Sequence, residues 1–431
     1  MAEGVEKALA WLRNLGTVPR IESLASQSNG SARLKNNAHI HLPPNFSAFD
    51  SIEHAVRLAA EQGVAVLGAS NYYDYDIYED FIVHCRQRGI FPLFGLEIIS
   101  LIDELVKEGV KINDPGNPGK MYICGKGITR FGTMTPEAQR LLTTIRTNDS
   151  QRMAKMIAKI EEIFARHGVA TGLDEGKVID RVVARHDVHR KHVCLQERHV
   201  CQAFQERLFE LVPVQARIGK LTEVFGAPVK VAADDAVKLQ NEIRSNLMKS
   251  GKPAFVQETF LTFEEAMRLI LELGGLPSYP TLADGVKPIC PFEEPVEKLI
   301  ERLLSMGIHC AELIPIRNSP QVLSQYVKTM RSAGLVVTGG TEHNTLDLLP
   351  IEPMCANGQP VPDDVKEVFW EGACVVAAHQ FLSLHDEVGF VDFAGKPNGK
   401  FSTAEKRIAH FRKLGSAVIA RYHQTAAVTR Q

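Results

Sequence analysis

Several features that would place a protein in a specialised class are missing from this sequence of 431 residues. Its eight cysteines are scattered and form no Cys-x-x-Cys pair, which indicates reduced thiols in a cytosolic protein rather than a disulfide scaffold. The start of the chain lacks a basic-then-apolar leader, and no apolar run of about 18 residues occurs. We therefore expect a cytoplasmic protein with no membrane partner.

The net charge and the absence of certain motifs argue against several further classes of protein. A formal net charge of -2 shows no basic excess, so the sequence does not indicate nucleic acid as a partner. Gly125-Lys126-Gly127 lies in no Gly-x4-Gly-Lys-Ser/Thr phosphate loop, and no Gly-x-Ser-x-Gly motif supports a serine hydrolase. A hydrophobic content of 45% and a charged content of 23% are typical of a globular enzyme.

Short apolar runs alternate with amphipathic helices on both sides of a mostly helical central region. We predict seven strands, which begin near residues 37, 64, 91, 121, 275, 308 and 335. Thr262-Phe263-Glu264-Glu265 has the form of a capping box, which predicts the start of a helix. Such alternation of strands and helices predicts a parallel sheet with helices packed outside it.

This pattern divides the chain into four parts. Residues 1–35 are predicted to form an N-terminal helix and leader, and residues 36–133 and 259–355 a barrel. Residues 134–258 are predicted to form a helical insertion, or cap, and residues 356–431 a helical C-terminal extension. Within the insertion, the apolar residues from Met153 to Phe164 recur at helical spacing and indicate a helix with a core-facing stripe.

The stretch Asn37-Ala38-His39-Ile40-His41 carries two histidines one residue apart in a predicted strand. Side chains two residues apart share one face of a strand, so both imidazoles could bind one metal ion. The alternative is that hydrogen bonds in a polar crevice satisfy each ring.

Other polar residues follow the ends of the predicted strands, which is where α/β barrels carry their reactive groups. Glu97 follows the third strand, and Glu342-His343 follow the last. Imidazoles and carboxylates from separate strands form a ligand set that suits Zn, Mn or Fe. The spacing therefore favours a divalent metal site formed by His39, His41, Glu97, Glu342 and His343, although each acidic residue alone could be a solvated or capping group.

The order of these motifs resembles the PHP superfamily (polymerase and histidinol phosphatase), whose members are metal-dependent phosphoesterases. The shared order is His-x-His, then Gly95-Leu96-Glu97, then Gly274-Gly275-Leu276-Pro277, then Gly340-Thr341-Glu342-His343. The likeness covers most of residues 36–130 and 260–345, and it implies a distorted (β/α)7 TIM-like barrel of the PHP type. It also implies hydrolysis of a small phosphorylated substrate with one or two divalent ions.

The resemblance implies catalytic roles as well. Glu97 matches the carboxylate of the family's Gly-x-Glu motif, and Arg198-His199 in the insertion look similar to an Arg-x-His that some members carry. A bound cation can activate water and neutralise phosphoryl oxygens, while basic side chains clamp the phosphate. For substrate binding we predict Tyr72, Lys126, Tyr279 and Arg317.

Three positions depart from the family pattern. Ser70-Asn71-Tyr72, Tyr122 and Tyr279 stand where the family has ligands of its metal ions. A neutral tyrosine is a poor ligand for Zn or Mn, because its phenol would have to ionise. We therefore expect a reduced metal site, to which Asp74 or Asp76 could contribute.

Two other functions remain open. Barrels with a His-x-His strand also serve amidohydrolases, which cleave C–N bonds. The second alternative is a barrel that has lost enough ligands to bind a metabolite or a partner without catalysis.

Overall fold

The computed structural model describes residues 2–27 and 32–428, and one β-sheet forms its centre. The strands are β1 (Asn36–Ile40), β2 (Val66–Asn71), β3 (Phe91–Leu101), β4 (Lys120–Lys126), β5 (Leu261–Thr262), β6 (Leu276–Thr281), β7 (Cys310–Leu313) and β8 (Val336–Gly339). Each of the seven predicted strands is present. The two-residue β5 is additional.

Helices connect and surround the strands. They are α1 (Ala2–Arg13), α2 (Val18–Gln27), α3 (Ile52–Glu61), α4 (Tyr78–Arg88), α5 (Asp103–Lys107), α6 (Pro136–Arg166), α7 (Glu175–His186), α8 (Glu197–Leu211), α9 (Val214–Phe225), α10 (Ala236–Ile243), α11 (Phe263–Glu272), α12 (Val296–Ser305), α13 (Pro320–Ser332), α14 (Asp363–Leu384) and α15 (Ala404–Val428). A π-helical turn, Arg244–Met248, continues α10.

The sheet runs in the order β1-β2-β3-β4-β6-β7-β8, and β5 pairs with β3 outside this path. Its two edges meet, because the backbone N–H of His41 donates to the carbonyl of Glu342 (2.7 Å) and the N–H of Glu342 donates to the carbonyl of His39 (2.9 Å). Gly340 permits this approach, since a Cβ atom there would lie 2.4 Å from the Cβ of His39. The predicted α/β fold of the TIM-like barrel type is therefore confirmed.

One strand departs from the predicted parallel arrangement. β4 is antiparallel to both of its neighbours in the barrel, pairing Ile99 with Tyr122 and Gly95 with Lys126. The chain returns from β3 to β4 at the same end of the sheet through the short α5, whereas a parallel neighbour requires a crossover to the opposite end. Tyr122 therefore lies towards the carboxyl end of β3, and Lys126 lies deeper in the barrel.

Local sequence explains where the barrel helices begin. In the predicted capping box, the Thr262 hydroxyl accepts from the N–H of Glu265 (3.2 Å), and the Glu265 carboxylate accepts from the N–H of Thr262 (3.1 Å). Each bond satisfies a backbone donor that has no partner within the helix. In α3, Ile52, Ala55 and Val56 bury one face against the barrel.

The helices between β4 and β5 have a hydrophobic core of their own. The stripe on α6 contributes Met153, Met156 and Phe164 to this core, which is separate from the core of the barrel. This region is helical as predicted. The division of the chain into a barrel, an insertion and an extension stays a prediction.

The C-terminal residues form the two predicted helices, α14 and α15. Every residue of α14 from Phe369 to Leu384 is buried, because the helix packs against both the barrel and α15. Burial on all sides explains why α14 lacks a polar face. Among residues 2–27 and 32–428, no helix is both long enough and apolar enough to span a membrane, and the cytoplasmic location stays a prediction.

Candidate metal centre

Two imidazoles from β1 face each other at the carboxyl end of the barrel. His39 is in β1 and His41 follows the strand, and their Nε2 atoms lie 3.3 Å apart. Both side chains are buried, with exposures of 1% and 0%. The alternation of strand side chains therefore places both rings on the same side, as predicted.

Glu97 completes a triangle with these imidazoles. Its Oε2 lies 3.4 Å from Nε2 of His39 and 3.2 Å from Nε2 of His41. Ligands about 2.0–2.1 Å from one tetrahedral ion lie roughly 3.3 Å from each other, so the three atoms have the spacing of metal ligands. Oε2 is also buried without a hydrogen-bond partner among the described residues, which further supports a cation at this position.

The three residues also have complementary charge. Burial favours the neutral form of Glu97, but the nearby imidazoles of His39 and His41 outweigh this effect and hold the pKa of Glu97 below its usual range. The carboxylate is therefore ionised, as a metal ligand must be.

Tyr72 contacts both Glu97 and His41. Its hydroxyl donates to Oε1 of Glu97 (2.7 Å), and its ring stacks on His41 with centroids 5.2 Å apart. Burial, and then the charge of Glu97, raise the pKa of Tyr72 well above its usual value, so the phenol stays neutral. Tyr72 therefore orients the carboxylate and covers one of its two oxygens.

Glu312 lies behind His39, on the side away from Glu97. The Nδ1–H of His39 donates to Oε2 of Glu312 (2.7 Å), and the Lys126 ammonium donates to Oε1 (2.6 Å). Burial would lower the pKa of His39, but the Glu312 carboxylate outweighs this effect and raises it. The sequence analysis assigned no role to Glu312, although a carboxylate inside the apolar strand Cys310-Ala311-Glu312-Leu313 was a signal of a buried partner.

Lys126 and Tyr279 are both deeply buried in this structure. Lys126 is 2% exposed, because β4 is antiparallel and turns this residue into the barrel. Tyr279 is 0% exposed, and its hydroxyl donates to Glu293 (2.9 Å). Both side chains are bonded to carboxylates inside the barrel, and their contact with a substrate stays a prediction.

Glu342 and His343 lie beside the centre but do not join the triangle. Glu342 pairs with Arg317 and accepts from the Asn344 amide (2.6 Å). His343 donates from Nε2 to the Leu349 carbonyl (2.9 Å) and accepts at Nδ1 from the Thr341 hydroxyl (2.7 Å). Because each group has hydrogen-bond partners already, the structure does not bring these two predicted ligands to the ion site.

Three other predicted residues are held by partners of their own. Asp74 pairs with Arg146 (2.9 Å) and His192 (3.1 Å), and Asp76 pairs with Lys191 (3.0 Å). Arg317 pairs with Glu342, as described above. Neither aspartate belongs to a group with metal-ligand spacing among the described residues.

Arg198 and His199 lie in the first turn of α8. Arg198 lies at the start of α8, its guanidinium is 6.0 Å from the centre of the Phe46 ring, and it interacts electrostatically with Glu342. Its neighbour His199 accepts at Nδ1 from the N–H of Gln196 (3.1 Å), which caps the helix. Burial lowers the pKa of His199 to about 3, so this imidazole is neutral.

The fold and these contacts define an α/β barrel with a candidate metal centre at the carboxyl ends of its strands. Among solved structures, the chain is similar to a candidate metal-dependent phosphoesterase from Bifidobacterium adolescentis, with a TM-score of 0.53 and 11% identity, over 78% of this chain and 95% of that chain. This likeness shows a shared fold.

A second solved structure is an amidohydrolase from Chromobacterium violaceum with bound sulfate and no metal. Its TM-score is 0.47 and its identity is 17%, over 78% of this chain and 96% of that chain. No protein-family model matches the sequence, and no curated protein matches it.

Proposed function

We propose that this protein is a metal-dependent hydrolase, and specifically a phosphoesterase that acts on a small phosphorylated molecule. The observation that carries the proposal is the triangle of His39, His41 and Glu97, whose ligand atoms are 3.2–3.4 Å apart. The description of the Bifidobacterium protein as a candidate metal-dependent phosphoesterase supports the same class of reaction.

His39, His41 and Glu97 would hold one divalent ion, such as Zn, Mn or Fe. Three protein ligands leave a coordination position open, which is typical of catalytic rather than structural metal sites. When bound, such an ion polarises a phosphoryl oxygen and makes water a stronger acid. The chain itself supplies two buried hydrogen bonds, through which Tyr72 holds Glu97 in place and Glu312 holds His39 in place.

The insertion supplies positive charge for an anionic substrate. Burial, and then the nearby positive charge of Arg244, lower the pKa of Arg198, while Arg244 itself pairs with Glu197 (2.8 Å). No carboxylate of the described residues forms an ion pair with Arg198. A phosphate group near Arg198 would accept charge-assisted hydrogen bonds from its guanidinium, which favours a phosphate ester over a neutral amide as substrate.

A barrel that binds a metabolite or partner without catalysis is the second candidate. Tyr72 favours it, because the hydroxyl that donates to Glu97 stands where the resemblance leads us to expect a further metal ligand. The two candidates differ in whether a bound substrate is turned over.

The experiment is a panel of phosphomonoesters and phosphodiesters, assayed with Mn²⁺ and with Zn²⁺. We expect hydrolysis by the wild type, and its loss in Glu97→Gln. The matched control is Glu371→Gln, which changes a buried carboxylate on α14 that pairs with Arg331 on α13. Hydrolysis of amides alone would identify a C–N hydrolase, and bound metal without any turnover would favour the non-catalytic candidate.

A further inference from the structure

A buried ion pair lies inside the barrel, beneath the proposed metal centre. The Lys126 ammonium is 2.6 Å from Oε1 of Glu312, 3.2 Å from the carbonyl oxygen of Ala38 and 3.3 Å from the hydroxyl of Ser70. Lys126 is 2% exposed and Glu312 is 0% exposed. The cost of removing two charges from water makes such a pair weak evidence for a role in stability, so another role is worth seeking.

Glu312 connects this ion pair to the metal ligand His39. One carboxylate oxygen bonds Lys126 and the other accepts from Nδ1 of His39 at 2.7 Å. A carboxylate only accepts hydrogen bonds, so Nδ1 of His39 carries a hydrogen, and in the neutral ring that binds metal this is its only N–H hydrogen. This leaves the Nε2 lone pair directed at His41 and Glu97, and buried carboxylate partners of this kind orient metal-binding histidines.

The same residues are part of a second group with potential metal ligands. His39, Cys124 and Glu312 have ligand atoms within 4.8 Å of one another. The Lys126 ammonium already bonds Glu312, however, and a divalent ion in this group would have to lie beside that positive charge. Repulsion between the two cations is strong in a buried site.

The contacts of Glu97 also oppose a second ion. Tyr72 donates to Oε1, so only Oε2 is available to bind metal, although a carboxylate that bridges two ions uses both oxygens. The remaining acidic group at the rim, Glu342, is paired with Arg317.

We infer that Lys126 and Glu312 are positioning residues for His39, and that the Lys126 ammonium takes the place of a second metal ion, so that the centre holds one ion. This inference rests on the proposed function, because it assumes an ion bound by His39, His41 and Glu97. The inference adds two points to the proposed function: the number of bound ions, and the residues that orient the ligand His39.

The first test measures how many ions the wild type binds. The purified full-length chain is stripped with a chelator, titrated with Co²⁺, dialysed and measured by elemental analysis. We expect binding to saturate at a single ion per chain. Saturation at two ions would overturn the inference.

The second test measures the affinity for Zn²⁺ and the visible absorption of bound Co²⁺ in Glu312→Gln and in the double variant Lys126→Met/Glu312→Gln. The double variant removes both charges and leaves no unpaired charge in the barrel, so we expect it to fold. Loss of such a partner typically weakens metal binding by about 10–100-fold, and we expect this loss with a changed Co²⁺ spectrum. Affinities and spectra equal to those of the wild type would refute the positioning role.

Glu371→Gln is the matched control, because Glu371 is also a buried carboxylate paired with a basic residue. We expect wild-type metal affinity and a wild-type Co²⁺ spectrum for this control. If the wild type binds no ion at all, the metal centre and the proposed function are both wrong. If it binds one ion but cleaves no phosphate ester, the phosphoesterase proposal fails and the positioning inference stands.

Discussion

The ends of β1 and β8 carry the same kinds of side chain but differ in what surrounds them. His39 and His41 at the end of β1 direct Nε2 atoms at each other and at Glu97, with separations of 3.2–3.4 Å. Glu342 and His343 after β8 instead bond to Arg317, Asn344, Thr341 and Leu349. Imidazoles and carboxylates therefore form a candidate metal site only where other hydrogen bonds leave a lone pair of each group free to bind the ion.

Backbone conformation separates the two regions as well. Glu342 and His343 both have left-handed backbone angles, with φ values of 59° and 53°. Residues other than glycine rarely adopt such angles, which cost about 1–3 kcal/mol each. The end of β8 therefore needs its side-chain hydrogen bonds to hold a strained turn, whereas no residue from 36 to 41 has a left-handed backbone angle.

The largest effect should follow from removing the imidazoles of β1. We expect the double variant His39→Asn/His41→Asn to bind Zn²⁺ much more weakly than the wild type. The fall in affinity should exceed roughly 10–100-fold, which is the usual effect of losing a partner that only orients a ligand. Isothermal titration with Zn²⁺ measures the change. His379→Asn is the control, because it alters a buried histidine of α14 that bonds to backbone groups only. Equal affinities in the double variant and the wild type would contradict the metal centre.

Tyr72→Phe should have the next largest effect. It removes the hydroxyl that donates to Oε1 of Glu97 but keeps the ring that stacks on His41. We expect metal affinity to fall by about tenfold, the lower end of the range for loss of an orienting partner. Tighter binding, or a second bound ion, would show instead that the hydroxyl blocks a metal-binding oxygen.

At β8 we expect a loss of stability rather than a loss of metal. Glu342→Gln removes the charge that pairs with Arg317 next to the strained turn. Because Arg317 is 35% exposed, water compensates in part, and we expect the free energy of unfolding to fall by about 1 kcal/mol. Urea denaturation measures this change, and Zn²⁺ titration of the same variant should match the wild type. A large loss of affinity would place Glu342 among the ligands.

The smallest effect concerns His199, a buried imidazole in the first turn of α8. Its pKa falls from 6.5 to about 3 on folding because burial disfavours the charged ring. As the pH falls, His199 therefore binds a proton in the unfolded chain before it does so in the folded chain. The free energy of unfolding decreases once the pH falls below the pKa of this histidine in the unfolded chain. We expect His199→Gln, which retains a capping side chain, to reduce this loss by about 0.7 kcal/mol between about pH 7 and pH 6. Parallel stability curves for variant and wild type would exclude this contribution.

Much of the fold could be predicted because the evidence is local. The period of apolar residues predicted the strands and the helix that carries Met153 and Phe164, and the Thr262 capping box predicted the start of α11. The direction of β4 could not be predicted in this way, because a strand has the same periodicity in either direction. Its reversal moved Lys126 from the rim into the barrel.

The sequence by itself determined the seven main strands, the capped start of α11 and the placement of His39 and His41 on one face of β1, because these follow from local motifs and from periodicities of two and 3.6 residues. Only the tertiary structure decided which polar groups meet. Glu97 and Glu312 approach His39 from strands far apart in the chain, while Arg317 pairs with Glu342. Hydrogen bonds between distant strands depend on register and strand direction, and local sequence carries neither.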